Sequence, residues 1–160
     1  MENSLTKLKR AQILTEVPGP KSLRYFDEEQ QYISPGLQTI ALLSKIVLER
    51  GEGCTVKDVD GNRYIDFFAG VAVASLGHAH PRYVAAMQEQ VAKINVGSFA
   101  TRHRAELTKL VAEIAPGDLG RTQFFSGGSE AVEAAIRLAM SYTKKREVVG
   151  FWGGFHGKTS

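Results

Sequence analysis

The 160-residue chain has one cysteine, one tryptophan and five prolines, and it has no long apolar run. A single cysteine, Cys54, excludes an internal disulfide and any zinc site built from cysteines alone. No stretch approaches the ~18 apolar residues that a membrane-spanning helix needs. The first fifteen residues mix Lys7, Lys9 and Arg10 with Leu5, Leu8, Ile13 and Leu14. They contain neither a continuous apolar segment nor a small-residue cleavage site, so they do not read as a secretory signal. Internal repeats and low-complexity tracts are missing as well. The charge surplus is small, 20 Lys+Arg against 17 Asp+Glu for a net +3. Because the basic residues are scattered, that surplus reads as ordinary surface charge and not as a nucleic-acid footprint. These absences leave a soluble, cytoplasmic globular protein. Its 43% hydrophobic and 23% charged residues fit that class and argue against disorder.

The chain changes character along its length. Residues 1–20 read as a short polar helix ended by Pro18-Gly19-Pro20, and residues 21–45 show little periodicity beyond a turn at Ser34-Pro35-Gly36. Residues 46–68 read as β structure, with Asp60-Gly61 as a hairpin turn because glycine accepts positive φ. Residues 69–77 are small and apolar. Helical spacing then follows over Tyr83–Ile94, opened by Pro81, and over Glu106–Ile114, stopped by Pro116-Gly117.

The last forty residues carry the strongest pattern. Thr122-Gln123-Phe124-Phe125 reads as a buried strand, Ser126-Gly127-Gly128-Ser129 as a tight turn and Glu130–Lys145 as a helix. Val132, Ala135, Ile136, Ala139 and Met140 line one helix face, Glu130 and Glu133 lie in the first turn, and Lys144, Lys145 and Arg146 close the end. Glu147–Trp152 reads as a second buried strand, followed by the loop Gly153-Gly154-Phe155-His156-Gly157. A strand-helix-strand order of this kind implies a right-handed crossover between parallel strands.

The turn at 126–129 places backbone N–H groups at a helix start, where they have no partner inside the helix and where the dipole favours an anion. It suits a phosphate, and it equally suits an ordinary capped helix. Phe155-His156 offers two flat rings at the end of a predicted parallel strand, the edge where ligands bind in open α/β sheets. Phe155 can stack on a planar cofactor or fill core. Gly157-Lys158-Thr159 is reminiscent of a phosphate-binding P-loop, but that pattern needs a glycine where Trp152 stands, which weighs against a nucleotide module. His78-Ala79-His80 lacks a third predicted metal ligand nearby, Asp66 being too far along the chain to assign, and His78 reads as a turn residue bonded to backbone. Cys54 reads as a small buried apolar residue.

Four segments in order resemble the class III aminotransferases, the pyridoxal-phosphate enzymes that include ornithine, acetylornithine and 4-aminobutyrate aminotransferases. They are Asp58–Phe67 with Gly53 before it, Ala69–Val73 with Gly77-His78-Ala79-His80-Pro81, Phe124–Ala135, and Gly154–Thr159. The resemblance covers about residues 20–160 and implies an α/β protein of PLP fold type I. Residues 1–75 would form a small N-terminal region, and residues 76–160 would open the large parallel-sheet domain. It implies that Gly127, Gly128 and Ser129 hold the cofactor phosphate, that Phe155 stacks on the pyridine ring with His156 beside it, and that Val71 lines the substrate pocket. It further implies a homodimer acting on an amino donor and a 2-oxo acid. Two departures stand out. The family carries Ser or Thr where Gly127 stands, and the lysine that bonds the cofactor covalently has no counterpart in these residues. The sequence is therefore read as the N-terminal portion of a longer enzyme and supplies no catalytic residue of its own; a catalytically silent product is the other reading.

Overall fold

The computed structural model describes residues 10–36, 39–95 and 99–156. Two compact units are present, Met1–Gly97 and Ser98–Ser160.

The first unit is organised by a three-stranded antiparallel sheet, β1 (Leu48–Glu52), β2 (Thr55–Asp58) and β3 (Arg63–Ile65), in the order β1-β2-β3. The β2–β3 hairpin turns through Asp60-Gly61 as expected, with Gly61 at φ +96. What fixes the hairpin is a polar cluster. Asp58 and Asn62 are fully buried. Asp58 Oδ1 accepts from the amides of Asp60 (3.0 Å) and Asn62 (2.8 Å), while Oδ2 accepts from Asn62 Nδ2 (2.9 Å) and the Tyr64 hydroxyl (2.7 Å). Burial, together with that bond to a carboxylate and its negative charge, pushes the Tyr64 phenol up to about 12. Asn62 Oδ1 in turn accepts from the amides of Leu14 (2.7 Å) and Thr15 (3.0 Å), tying the incoming chain to the hairpin. Buried polar groups are tolerable only when partnered, and this cluster satisfies its members internally.

Helix α1 (Pro20–Gln30) corrects the expectation for the N-terminus. Residues 10–19 are not helical. Gln12 bridges Arg63 in antiparallel fashion, and Pro20 begins a helix where Pro18-Gly19-Pro20 was expected to end one. Residues 1–9 lie outside the described residues. Proline fits the first helical position, because its fixed φ suits the helix and its missing N–H loses no intrahelical bond. The cap comes from the hairpin turn: Asp60 accepts from the amides of Lys21 and Ser22, both at 2.8 Å. Burial opposes the Asp60 charge, but the bonds from Ser22 and Lys21 outweigh it and hold the carboxyl below its ordinary value. A Cβ on Gly19 would lie 2.3 Å from Asp60 Cγ, so only glycine admits this approach. Helix α2 (Thr39–Ser44) is another element the weak periodicity did not reveal.

Cys54 is exposed, contrary to expectation. It sits at the tip of the tight β1–β2 turn, where no neighbouring layer covers it. Between the sheet and helix α4 (Pro81–Val91) lies α3 (Ala69–Ala72), a single turn of left-handed backbone. Helix α4 starts at Pro81, as its spacing predicts.

The second unit holds α5 (Arg102–Ile114) and α6 (Gly128–Thr143). Helix α5 begins a turn earlier than its apolar spacing suggests, because the Thr101 hydroxyl caps it by accepting from the Arg104 amide at 3.1 Å. It ends at Ile114, with Ala115 extended ahead of Pro116, as expected. The flanking strands of the predicted strand-helix-strand unit are not formed: among the described residues, neither 122–125 nor 147–152 joins a ladder. Nor are they buried, with Phe124 46%, Val149 91% and Trp152 fully exposed. Parallel sheets occur almost only with both faces covered, and the described residues supply no such cover for these two segments. No helix among the described residues is long and apolar enough to cross a membrane.

Candidate functional site

The start of α6 is where the sequence-expected phosphate site falls. Gly127 is the cap residue, with extended backbone (φ −151, ψ 164), and no side chain caps the helix. The first backbone bond to close is from the Ala131 amide to the Gly127 carbonyl, at 3.1 Å. The amides of Gly128 and Ser129 precede it and have no acceptor among the described residues, as the geometry of any helix start requires. Space above them is open. A Cβ on Gly128 would meet nothing within 4 Å, and one on Gly127 would meet only Glu130 Oε2 at 3.9 Å. Two unpaired amides and the dipole of a 16-residue helix favour an anion at this end.

Phe155 and His156 lie in the same unit. Phe155 is 80% exposed in this chain. His156 folds back on its own loop, its Nε2 lying 3.3 Å from the Phe151 carbonyl. Its ring also packs so near Gly150 and Gly154 that a Cβ on the latter would lie 2.7 Å from Nε2. Among the described residues no hydrogen bond joins this loop to the 126–129 turn. Gly157, Lys158 and Thr159, the P-loop-like residues, lie outside the described residues.

Val71 belongs to the first unit. It is 64% exposed and has φ +68, at the centre of the left-handed turn α3. Sequence reasoning left Asp66 aside as too far from the His78-Ala79-His80 segment to assign, and the structure brings it there. Its Oδ1 accepts from the amides of Phe68 and Ala69, both at 2.8 Å, and its Oδ2 meets His78 Nε2 at 2.6 Å. The bond from His78, with help from the Ala69 amide, holds the Asp66 carboxyl below its ordinary value. His78 is thus bonded through its ring to a carboxylate, where a backbone partner was expected; only its main chain pairs with backbone, at Gly53. Twelve residues separate the pair, so no short-range spacing rule could have found it. His80 Nδ1 is buried without a partner, and among the described residues no group of three metal-ligating side chains occurs.

The chain as a whole places these features in one class. Residues 39–160 match the family model of the class III aminotransferases, so the chain belongs to that family. It is 47% identical over 116 residues to the acetylornithine aminotransferase of Methanothermobacter thermautotrophicus, covering 71% of this chain and 29% of that protein. It is 36% identical over 153 residues to the 4-aminobutyrate aminotransferase of Mycobacterium leprae, covering 93% and 34%. A transaminase solved with PLP bound superimposes with a TM-score of 0.80 at 26% identity, over 92% of this chain and 34% of that one. The fold is therefore the α/β arrangement of PLP fold type I, and the chain spans about a third of the length of the relatives it matches.

Proposed function

We propose that the complete protein is a pyridoxal-phosphate-dependent aminotransferase. It moves an amino group from an amine or ω-amino acid, of the 4-aminobutyrate or ornithine type, to a 2-oxo acid. It works in the cytoplasm as a homodimer, with residues 1–75 in its small N-terminal region and residues 76–160 opening the cofactor domain.

The observation that carries this reading is the uncapped, unobstructed start of α6. Pyridoxal phosphate, when bound, supplies the electron sink that lets a bond break at the amino-bearing carbon. This chain's residues do the holding. The Gly128 and Ser129 amides grip the phosphate, with Gly127 leaving room for it. The Ser126 and Ser129 hydroxyls take the place of the side-chain donor that Gly127 lacks. Phe155 would stack on the pyridine ring, and His156, folded back on the Phe151 carbonyl, would hold the loop in shape. Val71 faces the substrate.

The test uses the complete protein mixed with pyridoxal phosphate. The expected result is a visible absorbance band of the bound cofactor that borohydride abolishes while fixing the cofactor irreversibly to the protein, together with amino transfer from 4-aminobutyrate or ornithine to 2-oxoglutarate. Magnesium-dependent ATP binding without that band would overturn the reading in favour of a nucleotide module. Phe155→Ala is expected to weaken cofactor retention about tenfold, within the range for loss of one aromatic stacking contact. Its melting temperature is expected to stay unchanged, since the ring is exposed.

A further inference from the structure

Segment 66–78 is built as a loop closed at its base. Both ends are fastened to the same place in the sheet. The Asp66 amide donates to the Cys54 carbonyl at 2.8 Å, and the main chain of His78 exchanges two bonds with Gly53, at 2.9 and 2.8 Å. The Asp66–His78 side-chain bond at 2.6 Å then joins the two ends directly. Glycines make the approach possible. A Cβ on Gly51 would lie 2.6 Å from His78 Cβ, and one on Gly77, at φ +77, would lie 3.0 Å from the Gly53 carbonyl oxygen.

Within this loop the backbone is held in a costly conformation. Ala69, Gly70, Val71 and Ala72 have φ of +49, +61, +68 and +60. Left-handed backbone is unfavourable for every residue but glycine, and three of these four are not glycine. Such a turn persists only where the surroundings over-determine it. Here the constraint is visible. Asp66 Oδ1 takes the amides of Phe68 and Ala69 at the entrance, and the turn closes through bonds from Ala72 to Phe68 and from Val73 and Ala74 to Ala69, each at 2.9 Å. One carboxylate therefore fixes the start of the turn with one oxygen and locks the loop base with the other.

We infer that Asp66 and His78 are positioning residues whose bond holds the left-handed turn, and that this turn sets where Val71 stands against the amino donor. The assignment rests on the aminotransferase reading above for the identity of what Val71 meets. Neither residue touches the reacting atoms; both act through the backbone of 68–74.

The experiment compares Asp66→Ala, Asp66→Asn, His78→Gln and Gly51→Ala in the complete, cofactor-loaded protein, by hydrogen exchange over 67–77 and by steady-state kinetics. Asp66→Ala is expected to speed exchange of the Ala72–Ala74 amides tenfold or more, the effect of losing bonds to a charged acceptor, while strand β3 exchanges as in the parent. It is also expected to raise KM for the amino donor about tenfold or more, as small displacements near a reacting centre do. The visible band of the bound cofactor should stay unchanged. Asp66→Asn keeps the acceptor for the two amides and is expected to recover most of the loss. His78→Gln and Gly51→Ala are expected to fall between. Parental exchange over 67–77 in Asp66→Ala overturns the clamp. Fast exchange with an unchanged KM overturns the role in donor placement. If the parent protein binds no cofactor, the functional reading fails and the exchange result alone decides the clamp.

Discussion

The β2–β3 hairpin and the α6 segment each pivot on a glycine, Gly61 in the turn and Gly127 at the helix start, and they reach different ends. In the hairpin unit the fully buried residues are polar: Ser22, Asp58 and Asn62. Asp58 and Asn62 find partners within the chain, some of them nearly fifty residues away. In the α6 unit none of the described residues is buried, and the apolar residues of 147–152 face outward. Polar keystones close wherever the chain brings one donor to one acceptor, because hydrogen bonds are satisfied pairwise. Layers close only when a second layer faces them, since apolar burial is proportional to the area covered.

That contrast can be broken at its strongest point first. Asp58→Ala leaves two amides, the Asn62 side chain and the Tyr64 hydroxyl without their acceptor. Hydrogen exchange across β2–β3 in the complete protein is expected to report a loss of about 3 kcal/mol or more. A loss typical of a surface substitution would remove Asp58 as the keystone. Gly19→Ala tests the link from turn to helix. The added methyl must push Asp60 off the α1 amides, and a melting experiment is expected to show about 2 kcal/mol of destabilisation, in the range for overpacking. A neutral result would mean that the Asp60 cap contributes nothing. Thr101→Ala probes the other unit, where fixation is local. Loss of this single cap is expected to cost about 1 kcal/mol, read as fraying at the start of α5. An effect as large as that of Asp58→Ala would erase the contrast between the two units.

The same contrast explains what was legible in the sequence. The Asp60-Gly61 turn, the Pro81 start and the Pro116 stop were readable because each rests on one residue's backbone restriction. The α6 helix was readable from its apolar spacing and its first-turn acid. Helix α1 was misread because its cap, Asp60, comes from forty residues downstream. The strands at 122–125 and 147–152 were expected from composition, but ladder formation depends on neighbours that composition does not carry. Gly127, Gly128 and Ser129 were placed by sequence at a helix start, and that is where they stand. The Asp66–His78 bond was out of reach, since nothing in the intervening residues announces that both ends of the loop return to Gly53 and Cys54.

The central claim, that main-chain amides at the start of α6 grip the cofactor phosphate, is tested most directly by Gly128→Pro beside Gly128→Ala in the complete protein. Gly127 is already extended, as the residue before a proline must be, so proline at 128 deletes one N–H without breaking the helix. Equilibrium dialysis against pyridoxal phosphate is predicted to show at least about tenfold weaker binding for Gly128→Pro, the effect of losing one hydrogen bond to a charged group. Gly128→Ala, which keeps the amide and whose methyl meets open space, is predicted to bind like the parent. Equal binding by the proline variant and the parent would contradict the account.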